Sequence, residues 1–349
     1  MTDGTAVVWC DGAFGTPNGK TAHGLVRHTA RYDVQAVIDQ RHAGQDAGAV
    51  LDERPNGIPV VATVAEALER FGPDYFVVGI APDGGRLTGD DREAVRTALR
   101  AGVSVDCGLH DFLSEDPELR GLALRHGARI RDVRKPPPVN ELHHFSGRID
   151  EVDALRVAVL GTDSAVGKRT TAVLLTKGLR DRGLAAEMIG TGQTGWMQGV
   201  RFGIVLDSLI NDFVAGELEH AVVRAWDEAR PDAVVVEGQG SLMNPAYPGG
   251  FEILAATRPH AVVLQHAPAR VEYDGFPGFP IQPLPVQIQA LELISGRPVV
   301  AITLNHEDLD RDQVEAAKAA ITAEVGLPCI DPLRDPLDPV LDALLARKP

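Results

Sequence analysis

The chain has 349 residues, more than one hydrophobic core usually organises and enough for two domains. Its formal net charge of -15 argues against general nucleic-acid binding, which relies on basic surface. No apolar run approaches the ~20 residues that span a bilayer, and the N-terminus lacks the basic-then-apolar pattern of a secretory signal. Cys10, Cys107 and Cys329 are odd in number and far apart, which fits a reducing cytoplasm and neither a disulfide framework nor a zinc site.

Residues 5–9 (TAVVW) read as a first strand, followed by a loop carrying Gly12, Gly15 and Gly19. Their spacing is not G-x-G-x-x-G, so a dinucleotide turn and a plain loop before a helix both stay open. Residues 32–39 form a second strand ending in Asp39, either the ribose-binding acid of a Rossmann domain or a solvated strand-end carboxylate. A short strand at 58–62 and an amphipathic helix at 64–71 follow. Residues 75–81 (YFVVGIA) are apolar throughout, as a central parallel strand must be, and end in the turn PDGG. A helix over 90–101, a strand over 103–105, the acid-capped segment CGLHDFLSED and a strand over 129–133 complete a βαβα series. Such series build a doubly wound open sheet, with ligands beyond the strands' C-terminal ends. Three prolines at 136–138 stiffen an extended path, so 135–153 reads as a linker. The adjacent His143 and His144 would point opposite ways as strand neighbours and make no metal site by themselves.

The second half is organised around residues 157–175, VAVLGTDSAVGKRTTAVLL. An apolar strand runs into a glycine-rich turn, then into a helix that begins with Lys168, Arg169, Thr170 and Thr171. Loop amides and the helix dipole converge on one anion, and Lys168 adds a cation. Gly161, Thr162, Asp163, Ser164, Ala165, Val166, Gly167, Lys168, Arg169, Thr170 and Thr171 are therefore the cofactor-phosphate candidates. The usual pattern is G-x-x-x-x-G-K-[ST]; here Gly161 lies one position early, and Arg169 stands where a hydroxyl normally binds Mg²⁺.

Residues 185–190 form the next strand and end in TGQTGWMQG, a loop expected beside the P-loop with Gln193 and Thr194 available to a polar substrate. Arg201 follows, then residues 204–206 with Asp207 and Ser208. Asp207 and Asn211 would share a helical face at i, i+4. A helix at 217–230 leads to the strand 233–236, whose end carries Glu237 in EGQGSL, the place for a metal-holding or water-orienting acid. The strand 261–265 ends in His266, with Arg270 four residues on. Residues 273–285 are proline-rich and suit a lid or a crossover. The strand 299–304 ends in Asn305, His306 and Glu307, with Asn305 placed to read a base edge or a polar substrate. Helices over 285–295, 311–325 and 339–346 cover the sheet. The expectation is α/β: two doubly wound domains, Rossmann-like over 1–134 and P-loop NTPase-like over 154–349.

GTDSAVGK resembles the P-loop of dethiobiotin synthetase and its relatives, which also have an E-G-x-G segment. Taken together, GIAPDGGRL, GLHDFLSEDPEL, DVRKPP, GTDSAVGKRTT, TGQTGWM and VEGQGSL are similar to a family pairing a Rossmann-like N-terminal domain with a P-loop C-terminal domain, whose members include bacterial D-glutamate N-acetyltransferases. The resemblance spans nearly the full length. It implies acetyl transfer from acetyl-CoA to the amino group of D-glutamate or a related amino acid, with the P-loop holding the cofactor phosphates and no metal. Such a transfer needs a base and oxyanion donors. By position, Glu237, His266 and Asp207 are the base candidates, and Arg201 and Arg270 the carboxylate binders. The rival reading is an ATP- and Mg-dependent kinase or ligase of the dethiobiotin synthetase type; a non-catalytic nucleotide or CoA sensor is a third. The expected partner is a small molecule, with no nucleic acid or membrane and a homo-oligomer left open.

Overall fold

The computed structural model describes residues 2–349, the side chain of Asp83 apart. The chain forms two compact units: the residues through Pro136 together with Gln193–Val200, and Pro137–Gly192 together with Arg201–Pro349. No helix among the described residues is long and apolar enough to cross a membrane.

In the first unit, strands β1 (Gly4–Trp9), β2 (Tyr32–Ile38), β3 (Val60–Val61), β4 (Tyr75–Val78), β5 (Ser104–Cys107) and β6 (Ile130–Asp132) form one sheet in the order β3-β2-β1-β4-β5-β6. Every pairing is parallel, and the order is that of the Rossmann fold. Val7, Val8, Phe76, Val77 and Val105 are fully buried, because helices cover both faces of a parallel sheet. Asp39 does not wait for a ribose. Its buried carboxylate accepts from the Phe14 and Arg41 backbone N–H groups at 3.0 and 2.7 Å, tying the first loop down over the fully buried Phe14 ring.

The segment read as a loop beside the P-loop folds differently. Gln193–Met197 is a short helix belonging to the first unit. Thr194 Oγ1 lies 3.0 Å from Thr21 Oγ1, Gln198 Nε2 donates to the Gly24 and His28 carbonyls, and Met197 joins the first unit's core. The Arg31 guanidinium lies 3.8 Å from the centre of the Trp196 ring. Gln193 and Thr194 are both buried in the first unit.

The second unit holds β7 (Leu155–Gly161), β8 (Ala186–Gly190), β9 (Phe202–Gly203), β10 (Ala233–Glu237), β11 (Ala261–His266), β12 (Val299–Leu304) and β13 (Cys329–Ile330). They pair in parallel in the order β13-β12-β11-β7-β10-β8-β9. The chain leaves β7 toward β8 on one side and later returns to β11 on the other. That reversal opens a crevice at the C-terminal end of β7, where α/β sheets bind ligands. β9 ends at Gly203, and Leu206–Ser208 is a single 3-10 turn.

The segment read as a linker is docked. From Pro137 on it packs with the second unit, along the helix Asn211–Ala229. Glu217 accepts from the His143 backbone N–H at 2.7 Å and lies 2.8 Å from His143 Nδ1. Glu219 accepts from the Ser146 and Ile149 backbone N–H groups. The His143 and His220 rings stack with centroids 3.6 Å apart. Gly216 lets the arm cross closely, since a β-carbon there would come within 2.0 Å of the His143 carbonyl oxygen.

Candidate active site

β7 delivers Gly161 to the sheet edge, and the loop to Gly167 turns with positive φ at Ala165 (52°) and Gly167 (106°). The helix Lys168–Asp181 then begins without a side-chain cap, so its dipole and open amides face the loop. Among the described residues, the backbone N–H groups of Ala165 and Gly167 have no protein acceptor. Lys168, 8% exposed, donates from Nζ to the Asp163 carbonyl oxygen at 2.7 Å, which holds its ammonium inside the loop. Converging amides with an ammonium beside them are the donor set for phosphate oxygens.

Asp163 is the loop's anchor. Its Oδ1 accepts from Ser164 N–H and Asn244 Nδ2, and its Oδ2 from Arg270 Nη1 and Asp274 N–H, all between 2.7 and 3.1 Å. Asn244 and Asp274 sit in two different loops, so one buried carboxylate fastens both to the P-loop. The proline-rich segment folds back on itself through Tyr273 N–H to Phe279 O and Ile281 N–H to Val271 O, and Asp274 is its pin. Arg270 also donates to the Ser164 carbonyl at 2.9 Å and pairs with Glu307 at 2.7 Å. Expected to bind a substrate carboxylate, Arg270 instead commits its donors to the loop itself.

Beneath the loop, the neighbours of β7 place their end residues by register. Glu237 of β10 lies opposite Val159, and Gln265 of β11 opposite Gly161. Gln265 Oε1 accepts from the Thr171 and Thr303 hydroxyls at 2.5 and 2.6 Å. Thr171, a phosphate candidate by sequence, therefore turns its hydroxyl to the sheet. Thr162 lies 2.9 Å from His266 Nδ1 through its hydroxyl, and Ser241 Oγ donates to its carbonyl. Burial pushes the His266 imidazole down to about 4, so it stays neutral at physiological pH. Glu237 is raised by burial against the opposing pull of Arg169, the Thr191 N–H and Lys168. One of its oxygens accepts from Thr191 N–H at 3.1 Å, and Gln239 Nε2 donates to the Thr191 hydroxyl.

The remaining candidates are placed elsewhere. Asp207 is exposed on its 3-10 turn, while Asn211 starts the next helix, so the two share no helical face. Arg201 pairs with Glu228 at 2.8 Å and lies against the Phe202 ring, a surface arrangement on the flank of β9. Asn305 joins the crevice: its N–H donates to the His266 carbonyl and its Oδ1 accepts from Glu307 N–H. Asn244 and Asp274 escape a sequence reading, and Ser241 and Gln265, though inside the EGQGSL segment and the strand 261–265, carry no role there. Their partners are distant in the chain, and no motif spacing points to these contacts.

Residues 143–341 match the P-loop domain described as the C-terminal domain of unknown function DUF1611, and residues 40–136 match its Rossmann-like N-terminal counterpart. A D-glutamate N-acetyltransferase of Tritonibacter scottomollicae is 29% identical over 80% of this chain and 84% of its own. A Pseudoalteromonas protein of the same name is 29% identical over 78% of this chain and 81% of its own. The crystal structure of a DUF1611 family protein from Anabaena variabilis superposes with a TM-score of 0.91 at 34% identity, covering 98% of this chain and 99% of that one. With both domains matched in this order and the fold shared nearly end to end, the chain belongs to the DUF1611 family.

Proposed function

We propose that the protein is an N-acetyltransferase that moves an acetyl group from acetyl-CoA to the amino group of D-glutamate or a closely related amino acid. The observation that carries the reading is the P-loop itself. The amides of Ala165 and Gly167 and the Lys168 ammonium form an anion cradle, while Arg169 stands at the usual metal-ligating hydroxyl position. The Asp163 carboxylate is filled by four protein donors, so it has no oxygen to lend a cation. Such a cradle suits the pyrophosphate or 3′-phosphate of coenzyme A without a divalent ion, and a guanidinium binds phosphate in the same way. The names of the two curated relatives support acetyl transfer and the acceptor class.

Acetyl-CoA, when bound, supplies the acetyl thioester. The protein's part is to hold its phosphates, orient the acceptor amine and take a proton from it.

The test is a titration calorimetry series with acetyl-CoA, CoA and ATP, each with EDTA or with Mg²⁺, alongside an assay of CoA release with D- and L-amino acids. Acetyl-CoA should bind with EDTA present, and Lys168→Ala should weaken it about tenfold or more, the effect of losing one charge-assisted contact. Binding of ATP alone, and only with Mg²⁺, would sink this reading and restore the kinase.

A further inference from the structure

His306 and Asp331 lie just past the C-terminal ends of the adjacent parallel strands β12 and β13, on the edge that carries the P-loop. His306 Nδ1 donates to Asp331 Oδ2 at 2.6 Å; the Asp331 side chain is 1% exposed and that of His306 28% exposed. Asp331 is itself held. Its Oδ1 accepts from Leu333 N–H at 3.0 Å, and its backbone N–H donates to Asp335, which pairs with Lys318. A buried carboxylate on Nδ1 of a partly exposed imidazole sets the tautomer and leaves the electron pair on Nε2, the ring nitrogen turned away from Asp331. The turn bearing His306 is fastened to the crevice on both sides: Asn305 N–H to the His266 carbonyl, and Glu307 to Arg270, which holds Asp163.

Glu237 and His266 are bases expected from position, and Glu237 is less accessible than His306. Glu237 is buried beneath the loop and held by Thr191, and His266 is a weak base whose Nδ1 already faces Thr162.

Resting on the acetyltransferase reading above, we propose that His306, oriented by Asp331, is the general base of the transfer. Its Nε2 takes one proton from the acceptor's ammonium. The freed nitrogen pair forms the N–C bond to the acetyl carbonyl carbon as the C–S bond breaks. The imidazolium returns its proton to the departing thiolate, and the second proton lost by nitrogen passes to solvent. Asp331 stabilises the imidazolium between these events. It is a positioning residue, with Arg334 Nε 3.7 Å from its Oδ2 and the Asp335 carboxylate on its backbone N–H.

The experiment uses the full-length protein with acetyl-CoA and D-glutamate, comparing wild type with His306→Ala, His306→Gln and Asp331→Asn. Both His306 variants should lose about 10²–10⁴-fold in kcat while KM for acetyl-CoA stays within about threefold. The acidic limb of the kcat/KM pH profile should vanish, and added imidazole should partly restore His306→Ala. Asp331→Asn, which keeps the shape, should also lower kcat and distort the same limb. If wild type transfers acetyl groups and His306→Ala keeps kcat within about fivefold, the base is assigned wrongly while the function stands. The assignment fails equally if His306→Ala and Asp331→Asn lose acetyl-CoA binding along with activity, because the pair is then structural. A wild type that binds acetyl-CoA but transfers to no amino acid overturns both proposals.

Discussion

Asp163 meets its four donors without access to solvent, and one of them is the charged Arg270. Asp163→Ala should therefore leave a half-buried guanidinium short of a partner and release two loops from the P-loop. The expected cost is about 3–5 kcal/mol, the range for breaking a buried ion pair from one side, read as a lowered urea midpoint. A midpoint unchanged from wild type would mean that the two loops hold the P-loop without it. His266 gives a pH signature. Its folded pKa of about 4 lies below the unfolded imidazole value of 6.5, so the unfolded chain binds the extra proton first. The stability this neutral histidine protects is fully present above pH 6.5 and declines as pH falls toward 4, by up to about 1.4 kcal/mol per pH unit. His260 is shifted down in the same sense, so the comparison that isolates His266 is wild type against His266→Gln. The variant should show the flatter decline in urea melts between pH 7 and 4.5. Glu237 has the opposite sign: burial raises it, so its ionisation costs stability as pH rises. Glu237→Gln should melt higher than wild type at pH 7, with the gap narrowing toward pH 5.

At the scale of the element, Gly216 in the helix Asn211–Ala229 marks where the arm's backbone crosses. Gly216→Ala favours the helix by about 1 kcal/mol on propensity alone. Here it should still destabilise, because the added methyl meets the His143 carbonyl within 2.0 Å. Faster hydrogen exchange at residues 143–149 would report the displaced arm, and unchanged exchange there would refute the crossing's importance. The same glycine accounts for a displaced boundary. Sequence propensity starts this helix at residue 217, whereas the structure starts it at Asn211, because burial against the arm outweighs one glycine. Strands β7 and β12 and the helix Arg311–Val325 are legible in the sequence, since long apolar runs and an Asp310–Gln313 capping box announce them. β13 is two residues long and carries no pattern, so nothing in the sequence points to Asp331 behind it. The P-loop is readable because its chemistry is local. Its anchoring partners Asn244 and Asp274, 81 and 111 residues from Asp163, meet it only through the fold.

At the scale of the whole molecule, the chain passes between its two compact units three times: after Pro136, after Gly192 and after Val200. The middle excursion gives the first unit Met197 for its core and Gln198 to satisfy the Gly24 and His28 carbonyls. A fragment ending at Pro136 should thus lack part of its own interior and lose the near-UV dichroism of packed aromatics. Co-expression with residues 137–349 should restore that signal. A cooperative melt of the shorter fragment at the full-length midpoint would show the excursion to be dispensable. The arrangement also bears on descent. Gene segments that encode beads on a string can be exchanged between proteins, but here one bead is finished by a stitch from the other's coding sequence. Recombination at the proline-rich junction would leave each product with a missing piece or a surplus one, so the pair is constrained to be inherited as a single unit.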